Sequence, residues 1–392
     1  MIELADKNYC TGCGACAYAC PKDCIKMEEN NIGLIYPVVY SDNCIDCKKC
    51  LKSCPIINPL SDHTPMKAFA AWSLDEEERR TSASGGIAAE LYKKALSEGY
   101  KVAGAAQQAD FSVKMKVAEN DEDLILFKNS KYVFSDATGL FPQLSSLLSH
   151  GEKCIVIGLP CQIAAVRKLF RDNENLLLID VVCHGITPFR YLDEHIKMLE
   201  KVESKRAFRM SFRDPDTYTY TFTFTLYDKT GDRFYAKRTK HGDTYQFGYH
   251  RMVSYRENCY HCLFAKSLRI SDITLSDYKG LGKLAPCSYK ELKVSSVLIN
   301  TSKGLEFIQD LIDKKSIFAE ERPVKEPIQG DKQLREPSSK SRNRLEFEKL
   351  IIENNGEFEK SIYEVLQHHN KRMMVSQFIN FPKRIIKKLL QK

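Results

Sequence analysis

"CTGCGACAYACP", residues 10–21, sets Cys10, Cys13, Cys16 and Cys20 within eleven positions, and "CIDCKKCLKSCP", residues 44–55, repeats the spacing 34 residues later with Cys44, Cys47, Cys50 and Cys54. Thiols at this density serve disulfides or metal. Cys10 stands too close to the start for an export signal to precede it, so the expected address is the cytoplasm, where thiols stay reduced. Fifteen cysteines in all then read as metal ligation or redox chemistry.

A cubane 4Fe-4S cluster takes four thiolates. A C-x2-C-x2-C run supplies three of them, and in paired runs the fourth cysteine, the one before proline, crosses to the other cluster. The spacing therefore predicts one cluster on Cys10, Cys13, Cys16 and Cys54, and a second on Cys44, Cys47, Cys50 and Cys20. Gly12 and Gly14 leave room for the first loop to curl about its cluster, whereas the second loop carries Asp46, Lys48 and Lys49. Different local fields predict unequal potentials. Zinc prefers separated C-x2-C pairs and fits these evenly spaced triplets poorly. Residues 1–60 thus read as a ferredoxin-like two-cluster electron relay in which metal substitutes for hydrophobic mass, with a hairpin in "IKMEENNIGLIYPVV" between the motifs.

The chain has 392 residues, 43% of them hydrophobic, which is enough for two or three domains. No apolar run approaches the roughly 18–20 residues of a membrane-spanning helix. "NPLSDHTP" (58–65) reads as a linker. From 66 to 318 short apolar runs such as "KCIVIGLP" and "LLLIDVVCHG" alternate with amphipathic helices such as "SGGIAAELYKKALSEG", the mark of a mixed α/β sheet. Within it "TYTFTFTLYDKTGDRFYAKR" predicts an antiparallel hairpin turning at Asp228 to Gly231. Residues 319–392 read as a polar, proline-containing surface excursion followed by helices.

The net charge of +8 is uneven: from Lys360 onward eight Lys or Arg face one acid, Glu364, so the remainder is near neutral. That argues against a nucleic-acid partner, which calls for basic residues across a folded face. In "FINFPKRIIKKLLQK" (378–392) Phe378, Phe381, Ile385, Ile386, Leu389 and Leu390 share a helical face opposite Lys383, Arg384, Lys387 and Lys388. Such a helix lies on an anionic membrane surface or docks on its own domain, and periodicity serves both readings.

Outside the head, Cys161 follows a strand in "GLPCQ", Cys183 ends one in "VVCHG", and Cys259 and Cys262 form "CYHC". Two strand-end thiols and one C-x2-C pair could supply four ligands for a third cluster at the carboxyl edge of the sheet. Burial as small apolar side chains is the alternative, and it is the reading for Cys24, Cys154 and Cys287. His184 and His261 adjoin these thiols, as cluster neighbours or as ordinary hydrogen-bonded histidines. "TSASGGIAAEL" (81–91) sets Ser82, Ser84, Gly85 and Gly86 before a helix, which suits a cofactor phosphate or an ordinary serine cap. "NSKYVFSD" (129–136) adds Lys131, Tyr132 and Ser135. Nothing resembles a Ser/His/Asp or Cys/His nucleophilic site, and the catalytic residues are left unassigned.

Taken in order, the two-cluster head, "SASGG", "SKYVFSD", "GLPCQIAAVR", "DVVCHG", "FRD", "CYHCLFA" and "SDITLSDY" resemble the coenzyme F420 hydrogenase/dehydrogenase beta-subunit family over about residues 3–315. The resemblance implies an iron–sulfur flavoprotein oxidoreductase that binds FAD and moves electrons between 4Fe-4S clusters, a small-molecule carrier such as coenzyme F420, and a redox protein partner. It implies that Ser84, Gly85, Gly86, Lys131 and Tyr132 border the flavin, that Gly158, Pro160 and Gln162 belong to the same pocket, and that Cys161, Cys183, Cys259 and Cys262 hold a third cluster. The chain departs from the family pattern "DITLGDFWG" at Ser276 and Lys279. Two other roles stay open: a 4Fe-4S carrier subunit without flavin, and an accessory oxidoreductase of a biosynthetic pathway at the membrane surface.

Overall fold

Strands with both faces buried organise the molecule. In the computed structural model, which describes residues 2–389 apart from Asp172 and 290–292, with side chains as far as Val375, the run "CIVIG" is buried at every position. A strand covered on both faces reads as a continuous apolar run and belongs in the middle of a parallel sheet.

The hairpin between the cysteine motifs is β1 (Ile25–Glu29) with β2 (Ile35–Val39), antiparallel. Asn30 Oδ1 turns it by accepting from the N–H groups of Ile32 and Leu34. Each cysteine motif also contains a short helix, Ala15–Tyr18 or Lys49–Ser53. Ser53 Oγ ties the two together by donating to the Cys50 and Ala15 carbonyls at 3.0 and 3.3 Å.

The strands that follow are β3 (Lys67–Ser73), β4 (Lys101–Gln107), β5 (Val113–Val117), β6 (Ser135–Asp136), β7 (Cys154–Gly158) and β8 (Leu176–Val181). After them come β9 (Arg209–Ser211), β10 (Phe224–Tyr227), β11 (Arg233–Lys237), β12 (Ile273–Asp277), β13 (Ser295–Ile299) and β14 (Ile317–Arg322). The main sheet runs β14-β3-β13-β12-β8-β7-β4-β5-β6. Strands β12, β8, β7 and β4 are mutually parallel. Because β13 is antiparallel to both β12 and β3, β3 runs with them.

Alternation along each strand divides the core into two faces. Ile155, Ile157, Leu177 and Ile179 meet the helices Ile87–Ser97 and Ser302–Asp313 through Leu91, Ala95, Ile308 and Leu311. Val156, Leu176 and Leu178 meet the helices Leu140–Ser149 and Pro160–Leu169 through Leu144, Ile163 and Val166. The head packs on this second face: Ala15 is fully buried in the same cluster, and the Tyr18 ring lies 5.6 Å from Phe141 and 6.4 Å from Phe170.

A smaller sheet, β11-β10-β9, packs with the helices Phe189–Glu203, Thr244–His250 and Arg342–Glu353. Its β10–β11 turn falls at Asp228–Asp232, where Asp228 Oδ1 accepts from two backbone N–H groups. The alternating run before it is not strand: 215–221 forms two short 3-10 turns, with positive φ at Tyr218 and Phe222.

The polar segment 319–344 is folded inward rather than running over the surface. Glu326, Asp331, Gln333, Leu334 and Ser338 are buried. Arg322 grips Glu326 at 2.9 and 3.1 Å, and Glu326 also accepts from Tyr278 and the Leu284 N–H. Polar side chains that satisfy one another need no solvent. The final helix, Phe358–Leu389, is helical in backbone. The amphipathic pattern expected from Phe378 onward, and its membrane reading, lie outside the described side chains.

Candidate functional site

Four-cysteine groups define three cavities. The first, of about 370 Å³, is lined by Cys10, Cys13, Cys16 and Cys54. A second, of about 350 Å³, is lined by Cys20, Cys44, Cys47 and Cys50, with Cys24 beside them. The third, of about 520 Å³, is lined by Cys161, Cys183, Cys259 and Cys262. Each group is the set that sequence spacing or family resemblance puts together, and in the head both crossing cysteines, Cys54 and Cys20, reach the opposite group.

Loop geometry explains how the thiols converge. Gly12 and Gly14 sit at φ +70° and +79°, a region glycine enters freely, so three cysteines curl about one space. A Cβ on Gly14 would lie 2.4 Å from Thr138 Cγ2, so this loop also needs glycine to approach the body. In the third group Cys161 opens the helix Pro160–Leu169 after β7, Cys183 follows β8, and Cys259 lies on the short helix Glu257–Tyr260. All stand at the carboxyl ends of the parallel strands, where open α/β sheets place their sites.

The donor chemistry suits a polynuclear cluster better than a single ion. Both head cavities are lined by thiols with no imidazole or carboxylate among them, the all-sulfur surroundings that cubane clusters take. Burial pushes the Cys13 thiol up to about 11 and Cys259 to about 12. Cys161 is raised further, by burial first and then by Cys183, Cys262 and Cys259. Such sulfurs ionise only beside bound cations. Thr11 Oγ1, buried with no oxygen or nitrogen partner, is set to donate to the Cys13 sulfur.

The cavities follow one another. Cys13, Cys161 and Cys262 pack against one apolar cluster, and Cys13 is close enough to Cys161 to raise its thiol. The Cys20 group lies farther out, with Cys47 exposed.

At the same carboxyl edge the structure joins the "SASGG" and "NSKY" segments through Glu78, which accepts from Ser82 Oγ and pairs with Lys128, both at 2.8 Å. Gly85 N–H donates to Ser295 Oγ at 2.9 Å, and Ser84 Oγ donates to the Val294 carbonyl at 3.3 Å. Lys131 Nζ is capped by the Lys128 and Asn129 carbonyls, and burial lowers its pKa to about 7. The Tyr132 ring stacks 4.3 Å from Tyr249. Gln162 braces the start of its helix: its amide donates to Ser135 and accepts from the Leu159 N–H. Pro160 lines the third cysteine cavity, and Gly158 ends β7 just before it.

Three cations here are not among the site residues the sequence singles out, although Arg213 lies in the quoted "FRD". Lys293 Nζ donates to the carbonyls of Arg79, Arg80 and Ser82, and burial together with Arg213, Arg80, Arg79 and Lys128 brings its pKa down to about 8. Arg213, from "FRD", pairs with Asp277 at 3.1 Å and leaves Nη2 buried and unpartnered. These residues and Lys128 come from separate segments, so only the fold assembles them. Ser276 lies in β12, and Lys279 Nζ is engaged by His184 Nε2 at 3.2 Å and Asp331 at 3.1 Å. His261 contacts Glu257 on the surface and Cys154 is buried in β7, neither lining any of the three cysteine cavities.

Residues 151–325 match the family model for the C terminus of the coenzyme F420 hydrogenase/dehydrogenase beta subunit, and residues 9–57 match a 4Fe-4S dicluster domain. Residues 151–325 thus carry the C-terminal domain of that beta-subunit family. A ferredoxin from Pyrobaculum islandicum is 34% identical over 96 residues, covering 20% of this chain and 85% of the ferredoxin. The coenzyme F420-dependent sulfite reductase of Methanocaldococcus jannaschii is 28% identical over 184 residues, covering 43% of this chain. The chain spans only 26% of that reductase. A chain of the F420-reducing NiFe hydrogenase complex from Methanosarcina barkeri superposes with a TM-score of 0.42 at 19% identity, covering 79% of this chain and 93% of that one. Among the described residues no helix of the chain is long and apolar enough to cross a membrane.

Proposed function

We propose that the chain is a flavin- and iron–sulfur-dependent oxidoreductase that moves electrons between a two-electron carrier, coenzyme F420 or a similar molecule, and a protein partner. The observation that carries this reading is the succession of three four-cysteine cavities, the innermost at the carboxyl edge of the sheet. In this reading Cys10, Cys13, Cys16 and Cys54 hold one 4Fe-4S cluster, Cys20, Cys44, Cys47 and Cys50 a second, and Cys161, Cys183, Cys259 and Cys262 a third.

FAD would lie along the edge bordered by Ser84, Gly85, Gly86, Lys131 and Tyr132, with Gly158, Pro160 and Gln162 on the side of the third cysteine group. When bound, a flavin exchanges electron pairs with a carrier and single electrons with clusters. The chain's own part is electrostatic. Lys293 and the carboxylate-paired Lys128 and Arg213 line this edge with cations, the latter two close enough to depress the Lys293 pKa, and the buried unpartnered Nη2 of Arg213 is a donor in want of an anion. Tyr132 and Tyr249 present stacked aromatic surface beside it.

One observation favours the second reading, a 4Fe-4S carrier subunit without flavin: Ser84, Gly85 and Lys131 already spend their donors on neighbouring protein groups. Anaerobic reconstitution of the full chain followed by iron, sulfide and flavin counts decides between them. Flavin released on denaturation together with three clusters' worth of iron supports the enzyme. Iron without flavin leaves the carrier, and zinc alone ends both.

A further inference from the structure

Arg256 and Arg269 are the two largest fully buried side chains, each about 2% exposed or less. Arg269 has its counter-ion in Asp180. Arg256 has none: among the described residues no carboxylate pairs with it, and the neighbouring Glu257 is taken by Lys340 and Arg344. Its guanidinium reaches only neutral acceptors, the Ile35 carbonyl at 3.0 Å, the Cys10 carbonyl at 3.4 Å and Asn258 Oδ1 at 3.3 Å, and lies over the rings of Tyr36 and Phe134 at 4.9 and 5.4 Å. Burying a cation without an anion is costly, so its compensation must come from nearby.

What lies nearby is sulfur on two sides. A Cβ on Gly12 would sit 3.0 Å from Arg256 Nη2, so the cation is pressed against the loop that carries Cys10 and Cys13. On the other side its carbonyl accepts from the Cys259 N–H at 3.0 Å, its N–H donates to the Ile186 carbonyl, and Asn258 lines the third cavity. Its charge reaches both Cys10 and Cys259.

From this placement we infer that Arg256 is a positioning residue for electron transfer, a shared counter-cation between the first head group and the third group. The inference rests on the cluster assignment above. A thiolate-ligated cubane becomes more negative on reduction, so a fixed cation beside it favours the reduced form. Arg256 therefore holds the potentials of these two groups up relative to the outer head group, which it does not touch, and poises the innermost pair to exchange electrons.

The test is a spectroscopically monitored redox titration of the anaerobically reconstituted full chain. Arg256→Gln is expected to shift the first and third groups to more negative potentials, with the Cys20 group unmoved and the iron content kept; Arg256→Lys is expected to restore most of the shift. Asn258→Asp keeps the guanidinium but gives it a carboxylate, and the same two groups should shift in the same direction; it decides the matter if the glutamine variant does not hold iron. Wild-type potentials in these variants at full iron loading, or an equal shift of all three groups, would overturn the inference while leaving the cluster assignment intact. A wild-type chain that binds no cubane at Cys10, Cys13, Cys16 and Cys54 overturns both.

Discussion

His195 shows how one side chain can hold distant parts of this chain together. It is 1% exposed, with Nδ1 at 2.6 Å from Glu359 on the last helix and Nε2 at 3.3 Å from Asp243. Burial alone would push its pKa down, but the two carboxylates hold it at about 10, against an ordinary value of 6.5. A folded-state value above the unfolded one means the stabilisation is fully present below about pH 6.5 and is lost as pH rises through about 10. His195→Gln strands Asp243, which is itself buried and also accepts from Tyr235 and the Gln246 N–H. Breaking such a pair costs about 3–5 kcal/mol. The difference in unfolding midpoint between wild type and variant should be largest on the acid side of neutrality and shrink toward alkaline pH. Lys131 runs the other way, because its folded value lies below the unfolded one, which makes stability rise between about pH 7 and 10.5. Comparing wild type with the variant cancels that contribution, and a difference that widens with pH would contradict the assignment.

Among the elements, the helix Ile87–Ser97 depends on a residue without a side chain. A Cβ on Gly85 would stand 2.6 Å from the Ala71 carbonyl oxygen and 2.9 Å from the Ser295 nitrogen, both backbone atoms of the sheet. Gly85→Ala should therefore lower the thermal midpoint by the equivalent of about 1–3 kcal/mol through overpacking, and with it any flavin retention. A wild-type midpoint would mean that the edge has room to spare. The sequence marks this glycine as a small residue before a helix, suited to a phosphate or a cap, but not its close packing, because the contact comes from β3 and β13, remote in the chain. The strands themselves were more legible. Short apolar runs at β7 and β8 signal a mixed α/β sheet but not that its centre is parallel, and the alternation at 219–223 misleads, because Arg213 Nε takes the Thr219 carbonyl and the chain turns there. The inward folding of 319–344 was invisible for a related reason: a residue's partner in a buried polar network is fixed by tertiary structure, and composition records only that the residues are polar. The same holds for Arg213, Lys293 and Arg256, which belong to no spacing motif, while the two head groups stand out by the regular spacing of their cysteines and the third set, whose cysteines are scattered along the chain, only by family resemblance.

For the whole molecule, the order of the cysteine cavities becomes the argument. The outermost group has its exposed Cys47 toward solvent, the first group is wedged between head and sheet, and the third lies at the carboxyl edge. If electrons follow that order, damage at the innermost group should separate two routes of reduction that are equivalent in the intact chain. Cys183→Ser with Cys262→Ser removes two sulfurs from the third cavity and none from the head, so iron content should fall by about one third. A small, strong chemical reductant that reaches the exposed outer group should still reduce both head groups. A two-electron carrier acting at the sheet edge should no longer do so, and the rate of head reduction by that carrier should fall at least tenfold, read as the growth of the reduced-cluster signal after rapid mixing. An undiminished rate would mean that the carrier delivers electrons to the head directly, and the third group would then be structural.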